Sequence, residues 1–149
     1  MSSLCDIAIP RAYAIMKERN WDTVYWAVDL HGTVITSNYE SGTYTYINEE
    51  AKVALQAISA LPETRLILWS SMNGFDQTNV MALFKSDGIH VDWFNENPAV
   101  ESTGTGCFNQ KFYFSVLVDD KAGFDPNDWA AVMATTMQLS EDFHNVTKK

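Results

Sequence analysis

The stretch WAVDLHGTV, Trp26 to Val34, decides how the chain is read. An apolar run stops abruptly on an aspartate, a histidine follows two residues later, and a Gly-Thr pair closes the segment. Two further runs have the same form. TVYWAV leads into Asp29, RLILW into Ser70, and FYFSVLV into Asp119. These runs are nearly continuous rather than alternating, the pattern of strands covered on both faces in a parallel sheet.

Segments with helical spacing separate the runs. Asn48 suits an N-cap, Glu49 and Glu50 suit a first turn, and Ala51, Ala54, Leu55, Ile58 and Leu61 form one stripe before Pro62. Asp76 to Asp87 reads as a second helix stopped by Gly88. Asp125-Pro126 starts a third, with Trp129, Val132, Met133 and Met137 on its inner face. A weaker stripe predicts a helix from Pro10 to Arg19, and IHVDWF, Ile89 to Phe94, reads as another strand. Strands alternating with helices imply right-handed crossovers and a three-layer α/β sandwich with a mainly parallel, Rossmann-like sheet. The order of strands is not legible in this pattern.

At 149 residues, with 46% hydrophobic and 13% aromatic content, the chain suits a single domain, residues 1–149, with a full core. The formal charge of -9 repels phosphate backbones and anionic membrane surfaces, which argues against a general nucleic-acid-binding face or a membrane partner. A phosphate-bearing ligand therefore needs a local device, and a bound cation is the direct one. Cys5 and Cys107 belong to no metal-ligand pattern and suit reduced thiols in a cytoplasmic setting. No run approaches the roughly 18 apolar residues of a membrane span, and the first residues lack a signal-peptide layout. Repeats and low-complexity tracts are absent.

In parallel α/β sheets the ligand crevice lies beyond the carboxyl ends of the strands. Here those ends carry Asp29-Leu30-His31, Ser70-Ser71 and Asp119-Asp120-Lys121. Three converging carboxylates make an oxygen-rich pocket that must take up protons or a cation. Carboxylates completed by waters and a backbone carbonyl suit Mg²⁺. An aspartate can also act as a nucleophile, with a serine hydroxyl and a lysine stabilising the transferred phosphoryl oxygens.

At this point the chain resembles the haloacid dehalogenase-like (HAD) superfamily. The family's first motif, Asp-x-Asp-Gly-Thr after a strand, is matched by DLHGT. The second, an apolar strand ending in Ser or Thr, is matched by LILWS. A lysine is matched by Lys111 in NQKFYFSVLVDD, and an acidic pair after a strand by Asp119-Asp120. The four motifs occur in the family's order and span the chain from its first strand almost to its last helix.

The resemblance implies a Mg²⁺-dependent phosphohydrolase with Asp29 as nucleophile. It implies metal contacts from Asp29, the His31 backbone carbonyl, Asp119 and Asp120, supporting roles for Ser70 and Lys111, and substrate contacts from Gly32, Thr33 and Ser71. It also implies a small β-flap after the first strand, where Tyr39, Tyr44 and Tyr46 surround Ser41-Gly42. No insertion is large enough for a cap domain, so a bulky or macromolecular phosphorylated substrate is compatible.

His31 departs from the family pattern, which usually places an aspartate there as general acid and base. Histidine can carry out both proton transfers near neutral pH. The contrary reading is a catalytically weak HAD-like binding or regulatory protein, in which His31 marks lost acid/base function. A receiver-type signalling module also uses an aspartate crevice, but its acidic pair should end the first strand, whereas here the pair comes late. Lys85 and Lys121 compete with Lys111 for the lysine role. His90 and His144 read as structural or exposed. STGTGC falls in a loop, Ser102 to Asn109, and the five tryptophans read as core and rim.

Overall fold

The computed structural model describes residues 3–36 and 44–147. A short π-helical turn, Leu4–Ala8, leads into α1, Ile9–Glu18. Strand β1, Val24–Asp29, is followed by α2, Glu49–Ser59, and β2, Thr64–Trp69. Helix α3, Gly74–Ser86, precedes a two-residue strand β3, Trp93–Phe94, and β4 spans Val116–Val118. Helix α4, Trp129–Thr147, completes the order.

Strands β1 to β4 pair in parallel in the order β3-β2-β1-β4. The register sets Val24 against Thr64 and Asp29 against Trp69, while Trp26 and Val28 oppose Val116 and Val118. The chain thus has the expected α/β, Rossmann-like fold.

The two faces of the sheet are covered differently. Val24, Trp26, Val28, Leu66, Leu68, Val116 and Val118 share one core with the buried residues of all four helices. Full burial of a side chain such as Leu55 or Ile58 in that core contributes about 1.5–3 kcal/mol. The opposite face holds Ala27, Ile67 and Leu117 against Phe112, Phe114 and Trp93. Right-handedness accounts for this difference. The steps from β1 to β2 and from β2 to β3 run in one direction and put their helices on one side. The return from β3 to β4 runs the other way and crosses the other side, so the third layer is the irregular segment 95–115.

The helix termini follow their capping chemistry. Asn48 Oδ1 accepts the Ala51 amide at 2.8 Å, a cap contributing about 1 kcal/mol. Helix α3 begins two residues before the expected Asp76 because Asn73 Oδ1 caps it, accepting the Asp76 amide at 3.0 Å. Gly88 ends the same helix with φ +77°, which lets the Ile89 amide reach back to the Phe84 carbonyl at 2.8 Å. Asp125-Pro126 opens a 3₁₀ turn, Pro126–Asp128, before α4 proper.

Several expectations are corrected. FYFSVLV forms strand only over Val116–Val118, because Phe112 and Phe114 are spent covering the second face. Of Ile89 to Phe94, only Trp93 and Phe94 pair as strand. The Leu66 amide donates to the Asp92 side chain at 2.8 Å instead of to a backbone carbonyl, which interrupts the ladder. Leu61 lies beyond the end of α2, and Met137 is exposed while Thr136 and Ser140 are buried on α4.

The expected flap falls partly outside the described residues, which exclude Tyr39, Ser41 and Gly42. Its two flanks pair in antiparallel fashion: Ile35 bridges Tyr46, and the Thr36 amide donates to the Thr45 carbonyl at 2.9 Å. The Tyr44 hydroxyl donates to the Asp76 carboxylate and that of Tyr46 to Asp87 Oδ2 at 2.7 Å, so both ends of α3 hold this flank.

Cys5 and Cys107 are free thiols, the former half-buried and the latter exposed. Among the described residues, no helix is long and apolar enough to cross a membrane.

Candidate active site

Asp29 is the last residue of the central strand β1. The β1–β4 register pairs Val28 with Val118, and one further step brings Asp119 beside Asp29. Asp120 follows at the start of a 3₁₀ turn, Asp120–Ala122, which Asp119 caps by accepting the Lys121 amide at 2.9 Å. Asp29, Asp119 and Asp120 each offer a carboxylate oxygen, and these oxygens all lie within 4.8 Å of one another.

Thr33 is the internal brace of this cluster. Its buried hydroxyl lies 3.0 Å from Asp29 Oδ2 and 3.2 Å from Asp120 Oδ1, and it accepts the Asp120 amide at 2.9 Å. Thr33, expected among the substrate-contacting residues, thus has its hydroxyl engaged within the protein. The Thr33 carbonyl accepts the indole N–H of Trp129 at 2.8 Å, anchoring the loop to α4.

Burial pushes the Asp29 carboxyl up to about 7. The Thr33 hydrogen bond opposes this shift, and the negative charges of Asp119 and Asp120, with a hydrogen bond to Asp120, reinforce it. A carboxyl forced toward its protonated form beside two others is short of positive charge. The hard-oxygen donor set fits a divalent cation such as Mg²⁺.

Gly32 has φ +84°, and its amide donates to the Ile35 carbonyl at 2.8 Å. The half-buried His31 is shifted toward its neutral form by burial, and the nearby Asp76 charge opposes that shift.

Ser70 follows β2 directly, one residue beyond the Asp29–Trp69 pair. Its Oγ accepts the Met72 amide at 3.2 Å, and Ser71 is exposed. Lys111 is exposed, with its ammonium 5.7 Å from the centre of the Phe114 ring, and it makes no ion pair with the three aspartates. The role expected of Lys111, to stabilise charge on transferred phosphoryl oxygens, concerns a bound substrate, and the lysine stands outside the carboxylate cluster. Lys121 is also exposed.

His90 is exposed beside Asp92, and His144 lies 2.9 Å from the buried Glu63, so both stand apart from the aspartates. The segment Ser102 to Asn109 has no helix or strand. Trp26 and Trp129 are core residues, whereas Trp69 is 42% exposed and stacks edge-on with Phe112.

Sequence reasoning missed the contributions of Asp76, Tyr44 and Asn95. Each reaches its partner through a side-chain hydrogen bond across the fold, so no periodicity marks it.

Fold and site together define a Rossmann-like α/β protein with a carboxylate cluster at the C-terminal edge of its parallel sheet. No protein-family profile matches the sequence, and no curated protein matches it. Among solved structures the chain is similar to a conserved protein from Bacteroides thetaiotaomicron. The two share 23% identity with a TM-score of 0.62, over 78% of this chain and 91% of the other. That likeness extends to the fold.

Proposed function

We propose that this protein is a Mg²⁺-dependent phosphohydrolase of the HAD-like type, acting on phosphate monoesters through an aspartyl-phosphate on Asp29. The observation that carries the reading is the meeting of Asp29, Asp119 and Asp120 at the ends of adjacent strands, with Ser70 at the end of the next strand. Asp29, Asp119, Asp120 and the His31 carbonyl would hold the cation. When bound, Mg²⁺ supplies charge neutralisation for the carboxylates and the phosphoryl oxygens.

In the first step an Asp29 carboxylate oxygen bonds to phosphorus as the bond to the ester oxygen breaks. The protonated fraction of His31, which the Asp76 charge favours against the shift toward neutral, gives that oxygen its proton, and neutral His31 remains. In the second step His31 takes a proton from water as the water oxygen attacks phosphorus, the Asp29–phosphorus bond breaks, and inorganic phosphate leaves. The Ser70 hydroxyl donates to a phosphoryl oxygen throughout. The absence of a large insertion leaves room for a bulky or macromolecular phosphorylated substrate.

A second reading, a non-hydrolytic HAD-like binding protein, is favoured by the place of Lys111, whose ammonium lies over Phe114 and pairs with no carboxylate of the cluster.

The deciding measurement is phosphate release from a panel of phosphorylated metabolites, nucleotides and end-phosphorylated oligonucleotides, with and without Mg²⁺, alongside Asp29→Asn. Metal-dependent release that vanishes in the variant is the expected result. Mg²⁺ binding without release from any substrate would transfer the assignment to the binding protein.

A further inference from the structure

Strand β3 is only two residues long, and the chain leaves the sheet at Asn95 with φ +59°, a left-handed conformation uncommon outside glycine. Leaving the ladder this early would leave the end of β2 without a partner on that side. The Asn95 side chain takes over the missing strand's role. Its Oδ1 accepts the Ser70 amide at 2.9 Å, and its Nδ2 donates to the Ser70 carbonyl at 2.7 Å. Its own amide donates to the Leu68 carbonyl at 2.8 Å. One residue therefore closes the last rung of the sheet and grips both backbone polar groups of Ser70.

The amide of an asparagine side chain has the same donor and acceptor as a peptide unit, which is why it can extend a ladder where the backbone cannot. Asparagine is also among the few residues that tolerate the left-handed region. Both properties are used at this one position. The Ser70 hydroxyl is fixed further by the Met72 amide, which donates to its Oγ at 3.2 Å. With the Ser70 backbone clamped and a lone pair of Oγ occupied, the hydroxyl hydrogen is left as the group available to a ligand.

We infer that Asn95 is a positioning residue, whose clamp on the Ser70 backbone holds the Ser70 hydroxyl in place as a donor to a phosphoryl group bound at the Asp29 crevice. The inference rests on the reading of that crevice as a phosphoryl site. It assigns Asn95 no contact with the ligand.

The test is a double-mutant cycle in the full chain, with the affinity for inorganic phosphate in saturating Mg²⁺ measured by calorimetry. Asn95→Gly keeps the left-handed conformation and removes the clamp. Ser70→Ala is expected to weaken phosphate binding by roughly tenfold, and Asn95→Gly by a comparable factor, with no further loss in the double variant. A merely structural role for Asn95 would instead lower the melting temperature and weaken phosphate binding equally in the Ser70→Ala background, which would overturn the inference. Unchanged binding in Asn95→Gly or in Ser70→Ala, with wild-type binding intact, would also overturn it and leave the phosphoryl site standing. Failure of the wild type to bind phosphate would remove the phosphoryl site and the inference with it. If Asn95→Gly does not fold, Asn95→Asp carries the same cycle. Any effect of its added charge persists in the Ser70→Ala background, whereas loss of positioning does not.

Discussion

The α-carbon of Gly32 faces the Asp120 carboxylate so closely that a β-carbon at residue 32 would lie 2.7 Å from Asp120 Oδ2. The glycine is required twice, by this approach and by its φ of +84°. The first motif and the acidic pair therefore fit together as one packed unit, with the Thr33 hydroxyl bridging them from beneath.

Gly32→Ala forces the Asp120 carboxylate to move and strains the backbone, at a cost of about 1–3 kcal/mol. Urea unfolding should show the loss of stability, and calorimetric titration should show weakened Mg²⁺ binding in the same variant. Wild-type affinity for Mg²⁺ in Gly32→Ala would mean that Asp120 is not a ligand.

Metal-free protein should become less stable as pH rises from the usual carboxylate range toward about 7, because Asp29 binds its proton more tightly folded than unfolded. The penalty is absent when both states are protonated and complete once pH exceeds the folded value. Bound Mg²⁺ offsets the repulsion among the three carboxylates, so the rise in melting temperature on adding Mg²⁺ should be larger at about pH 8 than at about pH 5. An equal rise at both pH values would count against a shared carboxylate site.

His31→Ala should lower turnover by about 10²–10⁴-fold, the range for a general acid and base, while Mg²⁺ affinity persists because the proposed metal contact is through the backbone. Steady-state kinetics with a parallel Mg²⁺ titration separates the two effects. Full turnover in His31→Ala removes the acid/base assignment, and a gain of activity in His31→Asp would favour the non-hydrolytic reading of the native chain.

Away from the site, Glu63 is 1% exposed and accepts the Tyr13 hydroxyl at 2.6 Å, with His144 Nε2 2.9 Å from its other oxygen. Burial raises its pKa, but the hydrogen bonds from Ser140, Tyr13 and His144 outweigh that and leave it below the usual value. Its contribution to stability is therefore complete above the unfolded value and lost as pH falls through the folded one. Glu63→Ala removes the acceptor of the buried Tyr13 hydroxyl and weakens the tie between α1 and α4, a loss of about 2–4 kcal/mol that chemical denaturation would measure. A loss below about 0.5 kcal/mol, the size of an ordinary surface substitution, would show that the cluster is not a structural tie.

The sequence by itself determined the local elements and their polarity. Near-continuous apolar runs marked β1 and β2 because a strand covered on both faces has no polar side to alternate with, and Asn48 and Gly88 marked helix ends through the backbone groups they satisfy or free. It also placed Asp29, Ser70 and Asp119 at strand ends, since burial stops where a carboxylate or hydroxyl must meet solvent or a ligand. The tertiary structure alone decided the order β3-β2-β1-β4, which makes Asp119 a neighbour of Asp29, and it decided that Phe112 and Phe114 cover the second face instead of extending β4. It moved Lys111 onto Phe114, turned Thr33 inward as a brace, and gave Asn95 to Ser70. Burial and capping are written in residues a few positions apart, whereas these contacts join residues that meet only when the crossovers close the sheet.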